Sequence, residues 1–210
     1  MIDPEMALVL PSARNPRRSA TETLFALDAR LTELTRFTRD AFVAQMRLTW
    51  WFGALEALDA RPAPAEPLLQ AIRRDLVPLV PGTKLAGMIE GWEELLDPEP
   101  LDDDRLRRFA ERRGGGLFAA FARVLNARGE DPVAEAGTGW ALIDLAENTP
   151  DRAAADRARH LAVGYLSTAT GARWSRAGRP IGALAHLATM PHRSPAARSL
   201  RVLRHRFTGR

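Results

Sequence analysis

The run Leu24-Phe-Ala-Leu-Asp-Ala-Arg-Leu-Thr-Glu-Leu34 sets leucines at 24, 27, 31 and 34. Steps of three and four residues fall on one side of a 3.6-residue turn, so the run predicts a helix with one apolar face. Just upstream, Ser19-Ala-Thr-Glu22 has the spacing of a capping box, which predicts the helix start there and its end near Phe37. Residues 1–18, interrupted by Pro4, Pro11 and Pro16, read as a loosely ordered leader. Beyond the helix, Asp40 is placed to cap a second one through Leu58, carrying Phe42, Met46, Trp50, Trp51 and Leu55. Helical spacing makes one tryptophan of the Trp50-Trp51 pair a core residue and the other a rim residue.

The same periodicity continues outward. A proline-rich linker, Arg61 to Pro67, precedes a short helix from about Leu68 to Val77, closed by Pro78 and Pro81-Gly82. Leu85, Met88, Ile89, Trp92, Leu95 and Leu96 mark one further helix. Another starts at Asp102, and Gly114-Gly-Gly116 interrupts or thins it before Leu117 to Leu125 resumes the pattern. Asp131-Pro132 reads as an N-cap with a first-turn proline, and Pro150-Asp151 opens a helix toward Trp174. An apolar stretch, Ile181 to Met190, then leads to a basic helix from Ser194 to Phe207. No stretch alternates as a strand does, so the fold class is all-α: a single-domain helical bundle over residues 19–190 with a basic tail over 191–210.

Composition narrows the chemistry. The chain has 210 residues and no cysteine, which removes disulfides, thiolate nucleophiles and cysteine metal sites. Its four histidines, at 160, 186, 192 and 205, lack the spacing that sets two imidazoles on one helix face around zinc. No Gly-x-Ser-x-Gly elbow is present, and the triple glycine lacks the Lys-Ser/Thr of a phosphate loop. Asp102-Asp-Asp104 is what a helix N-terminus favours. No apolar run reaches the ~20 residues of a membrane span and no secretory signal opens the chain, which predicts a cytoplasmic protein.

Charge is distributed unevenly. Eleven arginines and no acid follow Asp156, whereas 19 basic and 26 acidic residues stand up to that point. Arg198, Arg201, Arg204 and Arg206 alternate with Leu200, Val202, Leu203 and Phe207 in an amphipathic tail. Those four arginines are the candidate membrane- or partner-binding residues. Nucleic acid is not the expected partner, because the body is acidic and no recognition motif is present.

Several segments together resemble the squalene/phytoene synthase family. Leu24 to Leu34 followed by Gln45-Met-Arg-Leu-Thr-Trp-Trp51 is similar to its opening helices. Gly91-Trp-Glu-Glu-Leu-Leu-Asp-Pro-Glu-Pro100 and Leu106-Arg-Arg-Phe-Ala-Glu-Arg-Arg-Gly-Gly-Gly116 look like its middle section, and Gly137-Thr-Gly-Trp-Ala-Leu-Ile-Asp-Leu145 like its second motif helix. The resemblance implies an isoprenoid-synthase type bundle in which two aspartate-rich helices hold Mg2+ across a cavity that takes an isoprenoid. Where the family's first motif has Asp-Asp-x-x-Asp, this chain reads Thr32-Glu33-Leu34-Thr35-Arg36, and Glu33 is expected to pair with Arg36. At the second motif Ala141, Asp144, Glu147 and Asn148 stand in the family's positions, and Asp151 looks like a helix cap.

The residual candidates for catalysis are therefore Glu33, Asp144 and Glu147, with no firm metal set among them. The resemblance extends to the branch that includes mitochondrial complex I assembly factors. It implies a non-catalytic protein, peripheral at the inner face of a membrane, that needs no cofactor and helps a membrane complex, respiratory by analogy, to mature. The alternative is an active prenyltransferase that uses Mg2+ to join prenyl diphosphates head to head. A helical adaptor acting through its basic tail is the plainest reading.

Overall fold

A computed structural model describes residues 17–36 and 40–210. Of the leader expected over residues 1–18, Arg17 and Arg18 are already helical and the rest lies outside the described residues, as does the helix end expected at Phe37. Among the described residues the fold is all-α, without strands. In chain order the helices are α1 (Arg17–Arg36), α2 (Ala41–Ala57), α3 (Pro67–Asp75), α4 (Gly82–Ala86), α5 (Ile89–Glu93) and α6 (Asp103–Ala110). A π-helical turn (Glu111–Gly115) joins α6 to α7 (Gly116–Leu125), and α8 (Val133–Asn148), α9 (Arg152–Gly171), α10 (Arg179–Ala188) and α11 (Pro195–Thr208) complete the chain.

The leucine register of α1 is as its spacing predicts, with Leu24, Leu27, Leu31 and Leu34 all buried. Its start is not. The helix already includes Arg17 and Arg18, so Ser19 and Glu22 lie inside it and form no capping box. The Ser19 hydroxyl instead donates to Asp75 at the end of α3 (2.7 Å), and Glu22 pairs with Arg18 (2.7 Å). Asp40, Glu66, Asp102, Asp151 and Ser194 each accept a hydrogen bond from a backbone N–H at the start of α2, α3, α6, α9 and α11 respectively. Asp131 does not cap α8. Its carboxylate turns away to accept from the Ser175 backbone N–H (2.7 Å) and hydroxyl, tying the start of α8 to the turn after α9. The single helix expected over Leu85 to Leu96 is two short ones, α4 and α5, separated at Gly87-Met88.

Helix α8 is the axis of the bundle, in contact with α6, the π turn, α7, α9 and α10. Its sequence fits that position. Ala136, Gly137, Thr138, Gly139, Ala141, Leu142, Leu145 and Ala146 are all buried, leaving no broad polar face. Helix α1 lies on the other side of α7, also touching α2, α3 and α5, while α11 packs on α10 at the periphery. Trp51 is buried and Trp50 half exposed, as their spacing requires.

Glycine decides the closest crossing. A Cβ on Gly114 would collide with the Gly137 carbonyl, and one on Gly137 with the Gly114 carbonyl. The π turn and α8 therefore meet backbone to backbone, which identifies part of the triple glycine as a close-packing point.

Candidate functional site

The crossing at Gly114 and Gly137 sets up the most unusual feature of the interior. Arg113 directly precedes Gly114, and Asp144 follows Gly137 by seven residues, two turns along the same face of α8. Asp28 comes from the leucine face of α1, one residue after Leu27. The three side chains converge. Arg113 donates from Nε and Nη2 to the two carboxylate oxygens of Asp28, both at 2.9 Å, and from Nη1 to Asp144 Oδ2 at 2.7 Å. Asn148, one turn beyond Asp144, donates to the other Asp144 oxygen (3.2 Å).

The guanidinium is almost wholly buried, its side chain 3% exposed, and so is that of Asp28 at 8%, whereas Asp144 at 28% reaches the edge of the bundle. Aromatic rings box the cation: its central carbon lies 4.2 Å from the Trp92 ring centre, 4.9 Å from Trp140 and 5.7 Å from Phe109. Burial works against the positive charge, but the attraction and hydrogen bonds of Asp28 and Asp144 outweigh it and hold the Arg113 pKa above its ordinary value. Arg113 is thus a fixed, permanently charged bridge between α1 and α8.

Of the residual catalytic candidates, only Asp144 takes part. Glu33 lies on the exposed side of α1 and pairs with Arg30 (3.1 Å); the side chain of Arg36, its expected partner, is outside the described residues. Glu33 borders an open groove of about 1190 Å3 between α1 and α2, floored by Leu34, Val43, Met46 and Trp50. Glu147 reaches Arg159 and His192, each at 3.4 Å, so it turns away from Asp144 despite standing three residues from it.

The residues present do not fit the Mg2+ cluster that the resemblance implies. A hard cation needs about six oxygen ligands. Both oxygens of Asp28 and both of Asp144 are already engaged by nitrogen donors, Glu33 and Glu147 are turned elsewhere, and no group of three potential metal-ligating side chains occurs among the described residues. The space between the two carboxylate-bearing helices is filled by Arg113 and its aromatic box.

Sequence reading missed Asp28 and Arg113. An acid inside the Leu24–Leu34 apolar face was the available signal for Asp28, because a buried carboxylate requires a partner. Arg113 carried no signal of its own. It is one of several arginines in a basic run, and only the π turn and the glycine crossing direct it inward.

The tail arginines divide into two pairs. Arg198 donates to the carbonyls of Met190 (2.8 Å) and Pro191 (3.0 Å), and Arg201 donates to His186 Nδ1 (3.0 Å from Nη2), so both turn inward and fasten α11 to α10. Arg204 and Arg206 are exposed. Reciprocally, Arg179 at the start of α10 donates to the carbonyls of Arg206 (2.7 Å) and Phe207 (3.2 Å), satisfying the C-terminal end of α11. Between the two helices His186 and His205 are buried with ring centres 4.7 Å apart. Because a guanidinium only donates, His186 accepts at Nδ1 and carries its proton on Nε2. Burial, then Arg201 and His205, push the His186 pKa down to about 3; burial and the cations Arg201 and Arg179 push His205 down to about 4.

In comparisons with known proteins, no family model, no curated protein and no solved structure matches the chain. No helix among the described residues is long and apolar enough to cross a membrane.

Proposed function

We propose that this chain is a squalene/phytoene synthase-like protein of the isoprenoid-synthase type that does not transfer prenyl groups and serves the assembly or maturation of a membrane complex, respiratory by its resemblance to complex I assembly factors. One observation carries the non-catalytic reading: Arg113 stands between Asp28 of α1 and Asp144 of α8, the two helices that the resemblance matches to the family's metal-holding pair.

A metal ion in such a site keeps coordination positions open for diphosphate oxygens and draws charge from the leaving group. The Arg113 guanidinium uses a donor from each of its three nitrogens on Asp28 and Asp144 and is enclosed by Trp92, Phe109 and Trp140, which leaves a diphosphate no open metal position there. The basic tail and the absence of acid after Asp156 support a partner at a negatively charged surface.

The test is to incubate the protein with farnesyl or geranylgeranyl diphosphate and Mg2+, then assay organic extracts for a head-to-head product and the aqueous phase for diphosphate. Neither is expected. Product that is lost in Asp144→Ala or Glu33→Ala overturns the reading and identifies a prenyltransferase with a reduced metal site. For the assembly role, native gels of membranes from cells lacking the protein are expected to show a respiratory complex stalled as a subassembly.

A further inference from the structure

We propose that the outward face of α11 is a docking surface for an anionic lipid bilayer. The inference deepens the reading above, on whose membrane-side role it rests, by naming the surface and the chemistry it meets.

The helix has two apolar faces, and the fold uses one. Val202 and His205 point inward and are fully buried against α10. On the opposite side Leu200, Leu203 and Phe207, at i, i+3 and i+7, are 69%, 45% and 82% exposed. Such a stripe in water is unfavourable unless something covers it, because each large side chain leaves its apolar area hydrated. The helix cannot roll to hide it. Arg198 on Met190, Arg201 on His186 and Arg179 on the Arg206 and Phe207 carbonyls fix the rotation from three points. The close approach is built in at Gly182 of α10, where any Cβ would strike the His205 ring.

Charge selects the occupant. Arg204 follows Leu203 and Arg206 precedes Phe207, each about 100° round the helix, so exposed guanidiniums border the stripe on both sides. No Asp or Glu follows Asp156, and the nearby Glu147 is engaged by Arg159 and His192. An apolar stripe with an exposed arginine on each side matches the boundary of an anionic bilayer, where acyl chains accept the stripe and headgroups accept the guanidiniums. At 14 residues, about 21 Å, the helix is suited to lying in that boundary and too short to cross it. A polyphosphate backbone would use the arginines and leave the leucines and phenylalanine in water, so nucleic acid is the weaker match.

The experiment is co-sedimentation of the full chain with vesicles of phosphatidylcholine alone or with about one third phosphatidylglycerol. Binding is expected to the anionic vesicles, at least about tenfold above the neutral ones, and to weaken with salt. Leu200→Ser/Phe207→Ser, which alters only exposed positions, should reduce it about tenfold or more, as should Arg204→Gln/Arg206→Gln. In Phe207→Trp, emission compared with the unsubstituted chain should shift to the blue on anionic vesicles alone. The control is Phe42→Ser/Met46→Ser on the exposed face of α2, which should bind as the unsubstituted chain does.

Failure to bind anionic vesicles overturns the proposal. So does undiminished binding by the Leu200/Phe207 variant, or loss of binding in the α2 control instead. Binding to heparin or to an acidic protein that matches binding to vesicles and is unaffected by the Leu200/Phe207 variant also overturns it, in favour of a purely ionic partner. Each result is independent of the prenyl-transfer assay, so docking and the absence of catalysis fail separately.

Discussion

The protein buries polar groups in two places and handles them in opposite ways. At the centre, Arg113 is charged and each of its three nitrogens donates to Asp28 or Asp144, with the Trp92 ring over its central carbon. At the periphery, His186 and His205 are buried neutral, held against the cations Arg201 and Arg179, and His186 Nε2 has no acceptor among the described residues. The centre stabilises charge by neutralising it, and the periphery excludes it. A satisfied charge network resists opening, whereas buried neutral imidazoles are vulnerable to any gain of protons. The difference teaches that the Arg113 bridge between α1 and α8 is the permanent part of the molecule and the α10–α11 contact its conditional part.

Removing the central cation is the strongest way to break that contrast. Arg113→Ala leaves the buried Asp28 carboxylate without its counter-ion, with Asp144 nearby at the edge of the bundle, and should cost about 3–5 kcal/mol in urea unfolding. If the loss comes from the uncompensated charges rather than from lost packing, adding Asp28→Asn and Asp144→Asn should recover part of it. A cost of less than about 1 kcal/mol for the single change would mean that the bridge contributes little.

Acid should act on the periphery first. Both histidines have folded pKa values below the ordinary 6.5, His205 at about 4 and His186 at about 3. Between those values and 6.5 the unfolded or detached tail therefore binds more protons than the docked one. The contribution to stability is complete above about pH 6.5 and falls as pH drops through the window, by about 1.4 kcal/mol per histidine per pH unit. Arg113 remains charged throughout. Hydrogen exchange in α11, corrected for its intrinsic pH dependence, should accelerate between pH 7 and pH 5 while the π turn stays protected. Equal acceleration in both segments would remove the distinction between the two regions.

How visible each region is in the sequence follows from its interactions. The helices are local objects: Leu24, Leu27, Leu31 and Leu34 announce α1, and Asp40, Asp151 and Ser194 mark starts that the structure keeps. Where a cap signal failed, a distant residue had claimed the side chain. Ser19 is taken by Asp75 and Asp131 by Ser175, contacts 56 and 44 residues away along the chain. The central bridge is of the same kind, since Asp28 and Arg113 stand 85 residues apart and no periodicity links them. Asp144 was legible because it lies in a segment resembling a known motif, yet its partner was not. The tail arginines were legible as a group, but which pair turns inward depends on His186 and on the carbonyls of Met190 and Pro191.

The smallest expected effect sharpens the comparison. Ser194 accepts a hydrogen bond from the Ala197 N–H at the start of α11, a long contact at 3.4 Å on an exposed helix end. Ser194→Ala should weaken that helix by about 0.5–1 kcal/mol. Because α11 packs mainly on α10, the cost should stay local. Hydrogen exchange in α11 should speed up about two- to fivefold, with the global urea midpoint unchanged. If the midpoint instead moves by the full amount, α11 unfolds together with the Arg113 centre, and a conditional periphery around a permanent core is the wrong description of this bundle.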